Sequence, residues 1–183
     1  MRRTIAIEVA GVAAAMCLFS LTVVGAPAEA RMPRPLRAPA GFACSGGFAG
    51  GSTSVGGPGA GGPRVTAVRV GRHGLYDRFV IQLSGTAMPR YRVTHHSTTF
   101  LLGIGSVTLA GTNGVLVRLF PVDASSYHGP QRFRPRFPVL REAQLVEYFE
   151  GHMNWGLGIR GRPCLRVAVF TSPTRLVVDV ARL

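Results

Sequence analysis

The chain has 183 residues, 46% of them hydrophobic, which is enough for one domain with a proper core and argues against several. Its 21 basic residues against 8 acidic ones give a net charge of +13, and every basic residue is an arginine. That balance turns attention from neutral or cationic partners to anionic ones: phospholipid headgroups, phosphate-bearing wall polymers or nucleic acid.

The N-terminus carries Arg2 and Arg3, then an uncharged apolar run from Val9 to Gly25, then small residues at Ala26, Ala28 and Ala30. This is the layout of a secretory signal peptide over 1–30, with cleavage after Ala28 or Ala30. The apolar run also approaches the length of a membrane span, about 20 residues, so an uncleaved anchor is the alternative. Both place the remainder outside the membrane, where cell-envelope anions outrank nucleic acid as partners. Loss of the leader removes Cys17 and leaves Cys44 and Cys164. In an oxidising compartment an even pair permits one disulfide, worth about 4 kcal/mol in the chain-entropy model. The alternative is two separate thiols, with Cys164 buried as a small hydrophobe.

Residues 31–63 are rich in Gly, Pro, Ala and Ser and poor in large apolar residues, which predicts a flexible linker. Gly57, Gly59 and Gly62 satisfy G-x-G-x-x-G, but no strand precedes them and Pro58 and Pro63 interrupt, so this is no nucleotide loop.

From Arg64 onward short β-branched runs alternate with Gly, Pro and Asn punctuation. The pattern predicts strands at 65–70, 78–84, 90–95, 106–109, 114–120, 140–149, 154–160, 164–170 and 174–181. Residues 140–149 have a short helix as their alternative. Asn113-Gly114 predicts a hairpin turn, and Ser172-Pro173 another. The fold class that follows is all-β, a β-sandwich of two mainly antiparallel sheets over 64–183. Parity assigns core faces: Phe79, Ile81 and Leu83 in one strand, Leu176, Val178 and Val180 in another, with Arg175, Val177 and Asp179 opposite. Asp77 and Asp179 then have structural roles as partners of arginines such as Arg78 or Arg166.

Within 71–85, GRHGLYDRFVIQLSG, the cluster Arg72, His73, Tyr76, Asp77 and Arg78 has the residue types of an active site. The rest of the chain supplies little to complete one. No Ser sits in G-x-S-x-G, no His pair has metal-ligand spacing, and a zinc site from His73, His95, His128 and Asp77 would need three separate segments to converge. The carboxylates past the leader are Asp77, Asp123, Glu142, Glu147, Glu150 and Asp179, and a glycosidase would need two of them about 5–10 Å apart in one cleft. No catalytic residue, metal or cofactor is expected.

The best binding feature is QRFRPRFPVLR, 131–141. Arg132, Arg134, Arg136 and Arg141 are interleaved with Phe133 and Phe137, and Pro135 and Pro138 hold the segment extended. One outcome is guanidinium forks and rings displayed to phosphate, carboxylate, sugar or lipid; the other is a loop whose rings pack beneath it while its arginines are solvated. Tyr127, His128 and Trp155 are candidates to flank it.

Two stretches, VTAVRVGRHGLYDRFVIQLSG (65–85) and FEGHMNWGLGIRGRPCLRVAVFTSPTRLVVDVARL (149–183), together resemble the AMIN-like domain of exported actinobacterial proteins. The first carries Arg69, Gly71, His73, Tyr76, Asp77 and Arg78. The second carries Phe149-Glu150-Gly151, Gly156-Leu157-Gly158, Pro163, Arg166-Val167 and the run from Arg175 to Val180, departing at Cys164-Leu165. The resemblance implies a β-sandwich and a non-catalytic, extracytoplasmic binding or targeting module. Its partner would be an anionic wall polymer, peptidoglycan or a membrane surface. The alternatives are a wall-glycan hydrolase using paired carboxylates and a protein–protein interaction module of an envelope complex.

Overall fold

The computed structural model describes residues 44, 47–50, 53–55, 61–101 and 105–181. The signal peptide expected over 1–30 and most of the linker lie outside these residues. In chain order the strands are β1 (Ala49–Gly50), β2 (Thr53–Val55), β3 (Val65–Arg72), β4 (Tyr76–Leu83), β5 (Arg90–His96), β6 (Thr99–Leu101) and β7 (Ser106–Thr108). They continue as β8 (Asn113–Phe120), β9 (Arg132–Phe133), β10 (Leu140–Phe149), β11 (His152–Ile159), β12 (Cys164–Thr171) and β13 (Thr174–Ala181).

One sheet runs β1-β12-β13-β4-β3 and the other β2-β5-β8-β11-β10-β9, with β6 and β7 forming a small ribbon of their own. All these pairings are antiparallel. The expected all-β sandwich is thus what the chain forms, and 140–149 is strand throughout.

Strand β4 shows the physics of the inner face. Its residues alternate strictly, with Asp77, Phe79, Ile81 and Leu83 buried and their neighbours half-buried on the outer side. From the facing sheet, β11 contributes Met153, Trp155, Leu157 and Ile159, all fully buried. The Trp155 ring lies 5.4 Å from that of Phe79 and 6.0 Å from that of Phe133. Each such side chain stabilises the fold by roughly 1.5–3 kcal/mol, so this layer dominates the energetics.

The same alternation revises the role expected for Asp77. It shares the inner face with Phe79, and its Oδ2 accepts hydrogen bonds from the backbone N–H groups of Val139 (2.8 Å) and Leu140 (2.9 Å). It therefore ties β4 across the sandwich to the start of β10. Arg78 turns to the outer face and grips Asp179 through Nε (2.6 Å) and Nη2 (3.0 Å), while Arg166 Nη2 reaches the same carboxylate at 2.9 Å. Pairing with Asp179 raises the pKa of Arg78 against the opposing effect of burial. Tyr76 and Phe48 roof this cluster, with the Arg166 guanidinium 5.0 and 4.8 Å from their ring centres.

Several local expectations change. Part of the segment read as linker joins the sandwich: β1 pairs with β12 and β2 with β5, at the edge of each sheet. Cys44 is joined to Cys164 with 5.8 Å between Cα atoms, next to β1. Asn113 and Gly114 begin β8 instead of turning, because the strand before them, β7, pairs with β6. The turn at Ser172-Pro173 is present, with Thr171 and Thr174 as flanking partners.

Candidate functional site

The outer face of the six-stranded sheet has two halves. Over one half residues 97–101 and 105–110, which include the β6–β7 ribbon, pack directly on the strands. The Gly156-Leu157-Gly158 sequence makes this close approach feasible. A Cβ on Gly156 would lie 2.9 Å from Leu109 Cδ1 and 3.0 Å from the Phe100 ring, and one on Gly158 would fall inside the Ala110 carbonyl oxygen. Phe100, Leu109 and Leu116 form a small second core there.

Glu142 fastens the edge of that packing. It is almost fully buried, at 1% exposure, and its Oε2 accepts from the Ala110 N–H at 2.8 Å. Its Oε1 takes Arg132 Nε at 2.5 Å and Arg134 Nε at 3.1 Å. Burial alone would raise this carboxyl's pKa, but the Ala110 N–H and the two guanidiniums outweigh it and hold the group below its ordinary value. The pairing exists because β9 lies antiparallel to β10 with Arg132 opposite Gln144, one strand away from Glu142.

The 131–141 strip is consequently less of a display than its sequence implies. Arg132 and Arg134 are committed to Glu142, Phe133 packs on the core beside Trp155, and Phe137 is half-buried against the same core. Arg141 Nη1 donates to the Phe137 carbonyl at 2.9 Å, and Arg136 is exposed. Trp155, expected to flank the strip, does adjoin it through Phe133, but from within the core, because β11 turns its odd-numbered residues inward. Tyr127 is buried with its hydroxyl donating to Pro130 O at 2.8 Å, and His128 is exposed.

The other half of the outer face is open and basic. Strand register places Arg90 opposite Phe120 and Arg92 opposite Arg118. It also places Arg118 opposite Asn154 and Asn154 opposite Glu147. Arg90, Arg92 and Arg118 are exposed, and among the described residues none of them is in an ion pair. Like charges directly opposite one another repel, so the Arg92–Arg118 pair is a standing site of excess positive potential. The Phe120 ring stacks on the His152 imidazole with centres 3.9 Å apart and planes 14° apart. These side chains border a depression of about 350 Å³, and Arg118 also lines a second, of about 490 Å³, bounded by His96, Phe100 and Leu101 at the ribbon.

Sequence reasoning missed this face, although period two already put Arg90 with Arg92, Arg118 with Phe120, and His152 with Asn154 on common sides of their strands. What it lacked was the lateral register that sets those pairs side by side.

Among the described residues the carboxylates are engaged at separate places. Asp77 faces the core, Asp179 the outer side of the other sheet, Asp123 accepts from the Ser125 N–H and hydroxyl, and Glu147 accepts from the Asn154 amide. Among the described residues no three His, Cys, Asp or Glu side chains come together as metal ligands. His95 Nε2 bonds to the Pro163 carbonyl at 3.1 Å, with burial lowering its pKa, and His73 stacks on Tyr76 with ring centres 4.7 Å apart.

The family model of the AMIN-like domain matches residues 63–182. No curated protein and no solved structure matches the chain.

Proposed function

We propose that this chain, which belongs to the AMIN-like domain family, is a non-catalytic binding and targeting module that holds an anionic polymer of the cell envelope on the open half of its six-stranded sheet. AMIN-like domains are in general extracytoplasmic binding or targeting domains. The observation that carries the reading for this chain is the arginine group of Arg90, Arg92 and Arg118, exposed and without an ion pair among the described residues. Guanidinium forks match carboxylate and phosphate oxygens bidentately and are desolvated at less cost than ammonium groups, so this group suits a polymer carrying either.

Co-sedimentation of the full chain with isolated bacterial cell wall tests the reading. The protein is expected in the pellet at low ionic strength and in the supernatant at about 1 M salt, where the Debye length falls to about 3 Å. A protein that stays in solution at low salt would overturn wall-anion binding. One that sediments equally at both salts would overturn its electrostatic basis.

A further inference from the structure

The arginine group does not stand alone on its face, and its neighbours bear on what the ligand is. Glu150 and Gly151 adopt positive φ, 46° and 78°, forming the two-residue turn that sets Phe149 directly opposite His152. Tyr148, one residue earlier, opposes the buried Met153, so Phe149 is on the outer side, and it is 64% exposed. One row across four strands therefore reads Arg90, Phe120, His152 and Phe149. Neighbouring strands lie about 4.8 Å apart, so the row sets Phe149 beside the stacked Phe120 and His152 rings. The next row, about 7 Å further along the strands, reads Arg92, Arg118, Asn154 and Glu147.

We propose that these two rows form one subsite for an acidic glycan. A sugar ring packs on the exposed Phe149 ring, beside the stacked Phe120 and His152 pair, and the carboxylate or phosphate borne by that sugar or its neighbour is held between Arg92 and Arg118. The proposal rests on the preceding reading of an anionic envelope polymer and adds the division of labour within the site. The exposed Phe149 ring offers a flat apolar surface to the C–H face of a sugar, the stacked Phe120 and His152 rings present their edges beside it, and the Asn154–Glu147 pair offers a donor and acceptors to hydroxyls. An anion between Arg92 and Arg118 relieves the repulsion that the register builds in. A planar bilayer is a poorer occupant. Arg118 is on β8, in the interior of the sheet, and lines two depressions, one of them shared with Phe100 and Leu101 of the ribbon.

Calorimetric titration of the full chain at low salt with four probes separates the possibilities. They are inorganic phosphate, neutral chitotetraose, the acidic tetragalacturonate, and vesicles of phosphatidylglycerol and phosphatidylcholine. The acidic tetrasaccharide is expected to bind about tenfold or more tightly than either phosphate or the neutral tetrasaccharide. Arg92→Gln with Arg118→Gln should bring it down to the neutral level, and Phe149→Ala should weaken both tetrasaccharides while leaving phosphate unchanged. Arg69→Gln with Arg175→Gln, on the opposite sheet, is the charge-matched control and should change nothing. All these positions are exposed or half-buried, and circular dichroism melts of each variant check its fold.

Phosphate binding as tight as tetragalacturonate, tetrasaccharide binding indifferent to the variants, or binding to vesicles alone would each overturn the proposal. If the Arg92/Arg118 variant still sediments with cell wall in a salt-dependent way, the subsite and the placement of the polymer on this face fall together, and binding to the wall stands through another surface. If the unaltered protein does not sediment, it is the wall-binding reading that fails.

Discussion

Replacing Glu142 by glutamine keeps the shape of the side chain and removes the charge on which three donors converge. The Ala110 N–H exchanges a charged acceptor for a neutral one, from about 1.5–3 to about 0.5–1.5 kcal/mol. The two guanidiniums are 44% and 65% exposed and rehydrate when released, so each ion pair contributes only about 0.2–1 kcal/mol. Together these give a loss of about 2–3 kcal/mol, or roughly 6–12 °C in melting temperature for a domain of this size.

The pH dependence follows from the direction of the shift. The folded pKa of Glu142 lies below its unfolded value, so its contribution is complete above the unfolded value of about 4.3 and is lost as pH falls through the folded one. Melts of wild type and Glu142→Gln followed by circular dichroism at pH 7, 5 and 3 should therefore show a gap that is full at neutral pH and closes in acid. A gap under about 2 °C at pH 7, or one undiminished at pH 3, would refute the assignment of Glu142 as the ionised anchor of this edge.

Asp77→Ala strands two buried N–H groups and should cost about 3–5 kcal/mol in urea denaturation, whereas Asp77→Asn retains a carbonyl oxygen for both and should cost less than half as much. Equal losses would show that charge, not the paired acceptor, is what β10 requires. Gly158→Ala forces Leu109 and Ala110 off the sheet and should cost about 1–3 kcal/mol, with hydrogen-exchange protection lost at Leu109 and Ala110 but kept in β4 and β13. Unchanged stability and protection would mean that this segment does not rest on the glycine pair.

The division between what is local and what is long-range runs through this molecule. Whether a stretch is strand, and which of its side chains share a face, depends on neighbours two residues apart. Those features were accordingly legible: the all-β class, the inward Phe79, Ile81 and Leu83, the inward Leu176, Val178 and Val180, and the outward Asp179. The parity of β4 even contained the inward placement of Asp77, since Asp77 and Phe79 are two apart.

Lateral register is another matter, because it is set by hydrogen bonds between strands up to dozens of residues apart. Only that pairing sets Arg92 against Arg118, brings His152 onto Phe120, and carries Arg132 and Arg134 to Glu142. The strip at 131–141 drew attention because its arginines are adjacent in the chain, and adjacency let a neighbouring strand's carboxylate claim two of them. The open arginine and ring rows come from four separate strands. Composition announced that the protein carries unneutralised positive charge, and the folded sheet alone chose where.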